Sequence, residues 1–227
     1  MHEPPSHLAD AWNGSFLHEL PAHARSELLA EAFEVDLPAG GVIYRGVLHR
    51  ETVVLALVVE GLLRVYMTSP EGRQVTIRYV TTSDVLGVPI VIGRGGPVDV
   101  QALTDCVLLR LSPERFRNLV GADPAVGLQV ARELSRRVFQ TSELLAQNVF
   151  FSVQRRVAHH LLDLAQREGD QLVVPAKQQD IADAIGTVRE VVARALKRLR
   201  ELGLIATCNG AIVLVDPSEL HRVAQGE

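Results

Sequence analysis

The sequence predicts an α+β protein with three consecutive parts, and three observations support this prediction. Short β-type runs separated by turn residues occupy 34–111, and several strands at this spacing indicate a sandwich or barrel. An unbroken helical pattern follows Asp123-Pro124. Residues 176–205 then contain two helical patterns separated at Gly186, which predicts a helix, a tight turn and a second helix.

Composition limits the class of protein. The 227 residues, 47% of them hydrophobic, fit one large or two small domains with ordinary packed cores. Cys106 and Cys208 are isolated, so one chain cannot build a disulfide framework or a four-cysteine cluster. No run approaches the ~18 apolar residues that a membrane span needs, and MHEPPSHLAD lacks the regions of a secretory signal. These features predict a cytoplasmic protein without a membrane partner.

The N-terminal 33 residues are predicted to lie outside the strand-rich part. Residues 1–15 show no periodic pattern and are expected to be an irregular lead-in with exposed histidines. Between 16 and 33 apolar residues recur at helical spacing after Pro21, which predicts one or two short helices.

The strand-rich part consists of seven short runs. Ser69-Pro70-Glu71-Gly72 predicts a hairpin turn between the fourth and the fifth run, because Pro and Gly supply the backbone angles of a turn. The runs are VDLP, VIY, VVLALVVEG, LLRVYM, RQVTIRYV, VDVQAL and CVLLRL.

Two helices are predicted to follow the strands. Ser112-Pro113 supplies an N-cap and a proline at the first helical position, and Asp123-Pro124 repeats that signal for a much longer helix. Its apolar stripe could pack on the strands of the same chain or against a second copy. The stripe comprises Val126, Val130, Leu134, Val138, Thr141, Leu145 and Asn148.

The C-terminal part begins with a predicted amphipathic helix over 152–168. His159 and His160 face different directions on it, so we expect one exposed and one half-buried ring and no metal pair. QLVVP then predicts a short strand, and LIATCNGAIVLV predicts two strands around Asn209-Gly210, a strong hairpin signal. A last short helix is predicted over Pro217 to Val223. This order makes the helix pair a winged helix-turn-helix.

The second helix of the pair has a basic face. A solvated charged helix is the ordinary interpretation of such a run, but a short helix and a glycine turn precede it, which is the layout of a DNA-binding helix-turn-helix. The chain has a net charge of −4, yet 151–227 hold equal numbers of basic and acidic side chains, so the basic charge is local to this helix. Around Glu190 lie Arg189, Arg194, Lys197, Arg198 and Arg200.

These residues resemble the cyclic-AMP receptor protein/FNR (CRP/FNR) regulators, whose recognition helix carries R-E-x-x-x-R, here Arg189, Glu190 and Arg194. The resemblance implies a cupin-like β-roll sensor domain over 34–122, a dimerisation helix over 123–150 and a winged helix-turn-helix domain over 151–227. It also implies a homodimer on a palindrome of TGTGA-like half-sites. Arginine forks then meet guanines, and the glutamate accepts from a cytosine.

The resemblance further implies contacts to DNA phosphates from Lys177, Gln178 and Lys197. Gln178 stands where the family has a phosphate-binding arginine, and Val188 replaces a small hydroxyl residue. We therefore expect a lower or less salt-dependent affinity with an unchanged half-site. The partners implied are double-stranded DNA, a second copy of the chain and RNA polymerase.

The sensor segment departs from the pattern of cyclic-AMP binders, G-E-L-x-L followed by R-S or R-T. This sequence has Gly87-Val88-Pro89 and then Gly96-Pro97, so the ribose-binding acid and the phosphate-binding arginine are both missing. Thr141-Ser142 matches the pair that contacts adenine, and equally suits polar positions in a dimer seam. The departures argue against regulation by cyclic AMP in the usual way.

Other effectors and functions stay open to different degrees. A cyclic-AMP-dependent regulator with an atypical pocket, an apolar ligand, a heme, a redox response and no effector all remain. Cys106 and His49 are the heme-ligand candidates of the β-type segment, besides the N-terminal histidines, although a buried inert thiol and an exposed histidine are commoner roles. Arg94 is a candidate anion contact, with solvation as its ordinary role. A metal-dependent cupin enzyme is disfavoured because 34–111 contain a single histidine. A regulatory module for a protein partner leaves the basic helix unexplained.

Overall fold

A computed structural model describes residues 4–44, 53–70, 72, 74–93, 96, 98–208 and 210–226. The chain forms two compact units, Met1–Thr68 with Ile77–Thr141 and Ser69–Thr76 with Ser142–Glu227. Within the described ranges no helix is long and apolar enough to cross a membrane, and no three His, Cys, Asp or Glu residues form a potential metal site.

The N-terminus is structured, so the expected irregular lead-in is wrong. A 3-10 turn at Ser6–Leu8 and helix α1 (Ala9–Asn13) bury Leu8 and Trp12 to 1% exposure each. Leu8, Ala11 and Trp12 do have helical spacing, but fewer than two turns are too short for a clear periodic signal. The two short helices predicted next are confirmed as a 3-10 turn at Phe16–Glu19 and α2 (Ala22–Leu29).

Eight strands form two four-stranded sheets, with neighbour orders β1-β8-β3-β6 and β2-β7-β4-β5. All seven predicted runs become strands, and the amide of Gly72 donates to the Ser69 carbonyl at 2.9 Å in the predicted turn. The two-residue strand β6 and the short helix α3 (Val88–Ile92) were not predicted. The strands are β1 (Phe33–Leu37), β2 (Val42–Tyr44), β3 (Leu55–Glu60), β4 (Leu63–Thr68), β5 (Gln74–Val80), β6 (Val85–Leu86), β7 (Asp99–Ala102) and β8 (Cys106–Leu111).

Alternation along β3 separates two cores in this unit. Leu55 and Leu57 belong to a core shared with the helices, whereas Ala56 and Val58 belong to the core that lines the inner faces of both sheets. The sheets and helices therefore form a layered β-roll, as predicted.

Helices α4 (Pro113–Ala122) and α5 (Pro124–Phe150) follow the roll. Ser112 caps α4 by accepting from the Arg115 amide at 3.3 Å, as predicted. The stripe on α5 divides into two halves. Val126 and Val130 are buried in the roll core, but Val138 and Leu145 are 64% and 66% exposed. Packing on the same chain thus accounts for the first half of the stripe alone.

The second unit contains α6 (Val153–Leu164), β9 (Gln166–Glu168), β10 (Gln171–Val174), α7 (Gln178–Ala184), α8 (Arg189–Glu201), β11 (Ile205–Cys208), β12 (Ala211–Leu214) and α9 (Pro217–Gln225). Its strands form one antiparallel sheet in the order β11-β12-β10-β9. The predicted helix over 152–168 is too long, because residues 166–168 pair with β10 instead.

The two histidines of α6 are less exposed than expected. His160 is buried, and burial lowers its pKa to about 3, so its ring is neutral. His159 is half-buried and stacks on Phe151, with ring centroids 5.5 Å apart. The expectation of one exposed ring is therefore wrong.

Candidate DNA-binding surface

The turn between α7 and α8 is a Schellman motif. Gly186 lies just beyond the end of α7 with φ 64°, where a residue with a side chain would be strained. The Thr187 amide donates to the Ala182 carbonyl at 2.9 Å and closes the motif. The glycine interruption in the sequence therefore fixes the angle at which the chain enters α8.

Helix α6 supports this turn. Arg156 donates through Nη1 to the Ile185 carbonyl at 2.6 Å, which satisfies a carbonyl at the end of α7. On α8 itself, Val192, Leu196 and Leu199 are buried, and α8 packs against both α6 and α7. One face of α8 is thus fixed, and its other face is left for solvent or a partner.

The three residues of the R-E-x-x-x-R pattern lie on that free face. Arg189, Glu190 and Arg194 are exposed, and none of them forms an ion pair with another residue in the described parts of the chain. Arginine and glutamate side chains in this state keep their full hydrogen-bonding capacity for base edges.

The distal end of α8 carries less free charge than the sequence suggested. Lys197 Nζ and Arg198 Nη1 approach the Glu201 carboxylate at 4.0 Å and 3.5 Å. Glu201 was overlooked as a second acid beside Glu190. It lies an i+3 or i+4 step from these two cations, a spacing that the sequence does reveal.

The first residues of both helices are also exposed or half-buried. Lys177 precedes α7, and its amide donates to Asp180 Oδ2 at 2.9 Å. Val188 is the N-cap of α8, is 57% exposed and makes no side-chain capping bond. A hydroxyl residue here would satisfy an amide of the first turn, which valine cannot do.

The wing completes the surface. β11 and β12 pair with Cys208 opposite Ala211, and Gly210 has φ 83° in the connection; Asn209 lies outside the described residues. Arg200 Nη1 donates to Thr207 Oγ1 at 3.4 Å, joining α8 to the wing. Lys177, Gln178 and Arg189 line one groove of about 360 Å³ with Arg200 and Thr207. The wing and Arg200 were not among the predicted contact residues, because spacing along the sequence does not reveal their proximity.

The sensor segment forms the start of α3. Gly87 is its N-cap with φ 88°, Pro89 occupies an early helical position, and Val88 is fully buried in the core shared with the helices. Gly96 is half-buried. Pro97, Arg94 and His49 lie outside the described residues.

The other effector candidates make local contacts. Thr141 Oγ1 donates to the Arg137 carbonyl on the same helix at 2.9 Å, and Ser142 is exposed. Cys106 is buried, with its thiol 3.2 Å from the Thr104 carbonyl, and burial raises its pKa. A protonated thiol of this kind is a poor nucleophile and metal ligand.

An ionic network joins α5 to the roll. Glu133, 6% exposed, accepts from Arg136 at 2.9 Å through both oxygens and from Arg137 Nε at 2.6 Å. Arg137 also donates to the Val85 carbonyl at 2.7 Å. The network was not predicted, since its charges lie among polar positions that look solvent-exposed in the sequence.

Two family models match the chain. The cyclic nucleotide-binding domain matches residues 34–123, and the Crp-like helix-turn-helix domain matches residues 155–223.

The chain is similar to several regulators. The transcriptional regulator LdrP of Thermus thermophilus is 32% identical over 170 residues, which cover 73% of this chain and 84% of that protein. The cAMP-activated global transcriptional regulator CRP of Salmonella typhimurium is 28% identical over 167 residues, covering 70% and 80%. The crystal structure of a CRP/FNR-family transcriptional regulator from Thermus thermophilus has a TM-score of 0.71 and 28% identity, covering 85% and 98%.

Proposed function

We propose that this chain, which belongs to the CRP/FNR family of transcriptional regulators, binds a palindrome of two TGTGA-like half-sites as a homodimer. The observation that carries the proposal is the free face of α8, where Arg189, Glu190 and Arg194 are exposed together. The coarser function, DNA-binding transcription regulation, follows from membership in the family. The half-site, the dimer and the effector are the proposal.

The assignment of bases follows from the donors and acceptors on α8. A guanidinium fork of Arg189 or Arg194 matches the O6 and N7 acceptors of guanine, and the Glu190 carboxylate accepts from the N4 amino group of cytosine. Positions five apart lie a little over one helical turn apart, so these side chains can meet successive base edges. Lys177, Gln178 and Lys197 contact phosphates and hold the register of the helix.

The dimer is supported by the second half of α5. Leu128, Val138 and Leu145 are 54%, 64% and 66% exposed, and Val149 is 67% exposed. Together with Ala131, Ser135 and Ser142 these residues repeat in steps of three and four, the spacing of a coiled-coil seam. An apolar seam of this length is costly to leave in water, and a second copy covers it symmetrically. The seam differs from the stripe predicted from the sequence by using Leu128 rather than Val126 and Val130.

Regulation by cyclic AMP in the usual way is not part of the proposal. Val88 is buried among apolar residues, so this position offers no carboxylate to a ribose, and Gly96 offers no side chain at all. DNA binding is therefore proposed to require no cyclic nucleotide. RNA polymerase is proposed as a further partner from family membership alone.

Titration of the effector-free protein onto a labelled palindrome of two TGTGA half-sites tests the proposal. A scrambled duplex of equal length is the control, and both titrations are repeated with cyclic AMP. The expected result is selective binding that the nucleotide leaves unchanged. Selective binding that appears with cyclic AMP alone would overturn the effector proposal and favour a regulator with an atypical pocket. Equal affinity for both duplexes in every condition would overturn the half-site.

A further inference from the structure

The groove beside the wing contains cations that no acid neutralises. Lys177, Arg189 and Arg200 line it, and none of the described lining residues is acidic. By contrast, Lys197 and Arg198, on the same helix as Arg200, approach Glu201 within 4.0 Å. A polar groove with net positive charge on an otherwise acidic protein is suited to an anion.

Arg200 is the cation of this groove whose position is fixed by the wing. Its Nη1 donates to Thr207 Oγ1 at 3.4 Å, and the residue is half-buried. A guanidinium carries five N–H donors, so one bond to a hydroxyl leaves donors for a further acceptor. Pre-orientation by the wing reduces the side-chain entropy lost when that acceptor binds.

We infer that Arg200 binds a backbone phosphate of the DNA strand that runs through this groove. The inference rests on the proposed function, because the groove lies beside the residues proposed to contact bases. Gln178 lines the same groove and brings no charge. Arg200 therefore supplies from α8 the positive charge that Gln178 does not supply from α7, and the salt dependence of DNA binding is retained rather than reduced.

The dependence of DNA affinity on salt concentration tests the inference. Each phosphate neutralised contributes about −0.9 to the slope of log K against log salt concentration. Arg200→Gln should make the slope less steep by about 0.9 per chain, hence about 1.8 for a dimer, and leave the preference for the palindrome over a scrambled duplex unchanged. Arg198→Gln is the matched control, since it removes the same charge from the same helix at a side chain already paired with Glu201.

Relocation of the charge gives a second readout. Adding Gln178→Arg to Arg200→Gln should restore the slope, which a merely structural role of Arg200 does not explain. If Arg200→Gln does not fold, Gln178→Glu in the unaltered protein replaces it, because an acid in the groove should also make the slope less steep. A slope for Arg200→Gln equal to that of Arg198→Gln, or for Gln178→Glu equal to that of the unaltered protein, would overturn the inference. Both comparisons require that the unaltered protein select the palindrome; failure of that selection would instead count against the proposed function.

Discussion

Glu190 is the acidic residue of the exposed pattern on α8, and its contribution to base choice can be measured alone. Glu190→Ala removes the proposed acceptor for cytosine N4, so discrimination at one base pair of each half-site should fall by about 1 to 3 kcal/mol. Competition titrations with the four base pairs at that position measure the change.

Glu201→Ala is the control for Glu190→Ala. It removes the same charge from the other end of α8, where Glu201 approaches Lys197 and Arg198. We expect it to raise affinity for all duplexes alike without changing base preference. Discrimination that survives Glu190→Ala at every position would contradict the assigned contact.

At the scale of single residues, the sequence predicted those side chains whose position follows from one helix. Glu190 and its neighbours are exposed because the apolar row of α8 faces the protein, and that row is visible as a period of 3.6 residues. The hydrogen bond between Arg200 and Thr207 was not predictable, because it joins a helix to a strand. Trp12 was missed because α1 is five residues long.

At the scale of elements, α5 combines two surfaces on one helix. Its first half contributes Val126 and Val130 to the roll, and its second half exposes Val138 and Leu145. The sequence predicted one continuous stripe, because a list of apolar positions does not say which neighbour each of them contacts. The network around Glu133 separates the two surfaces by orienting the arginines toward the roll.

Leu145 lies in the proposed seam of the dimer. Leu145→Lys places a cation opposite its own copy across the two-fold axis, so the dimer should dissociate at micromolar concentration and selective DNA binding should weaken at least tenfold. Sedimentation velocity measures the mass. Gln140→Lys, an exposed position on another face of α5, should leave the dimer intact. A dimer that persists in Leu145→Lys would place the interface elsewhere.

Glu133 is expected to stabilise the attachment of α5 to the roll. Burial raises its pKa, but hydrogen bonds and charges of Arg136 and Arg137 outweigh burial and lower it overall. Glu133→Gln leaves the nearly buried Arg137 without an acid, so the free energy of unfolding at pH 7 should fall by about 3 kcal/mol. Urea unfolding of the protein and of the control Glu143→Gln, an exposed acid on the same helix, measures the difference.

The pH dependence of that difference has a defined sign. The folded pKa of Glu133 lies below its unfolded value of about 4.3, so the carboxylate stabilises the fold fully above the unfolded pKa. Its contribution is lost as pH falls through the lowered folded pKa. The gap between the unaltered protein and Glu133→Gln should therefore shrink below about pH 4. A gap that stays constant with pH would contradict an electrostatic role.

At the scale of the whole molecule, the order of elements was predictable, whereas the separation of charge carries the functional argument. The net charge of −4 resides outside 151–227, so acidic charge on most of the protein coexists with a basic surface on α8. Non-specific attraction to DNA is limited by such a distribution, and binding depends on placing both copies of α8 at once. The partition of the roll core from the sheet interior was not predictable, because strand order is set by contacts far apart in sequence.

Half-site spacing tests whether the two copies act together. In a two-fold symmetric dimer, recognition helices enter successive major grooves about 34 Å apart on one face of the duplex. Inserting about five base pairs, half a helical turn, between the half-sites moves the second half-site to the opposite face, so affinity should drop to that of a duplex with one half-site. The same insertion placed outside the palindrome is the control and should change nothing. Affinity unaffected by the internal insertion would mean that each chain binds its half-site independently, and the dimer would then contribute nothing to the choice of site.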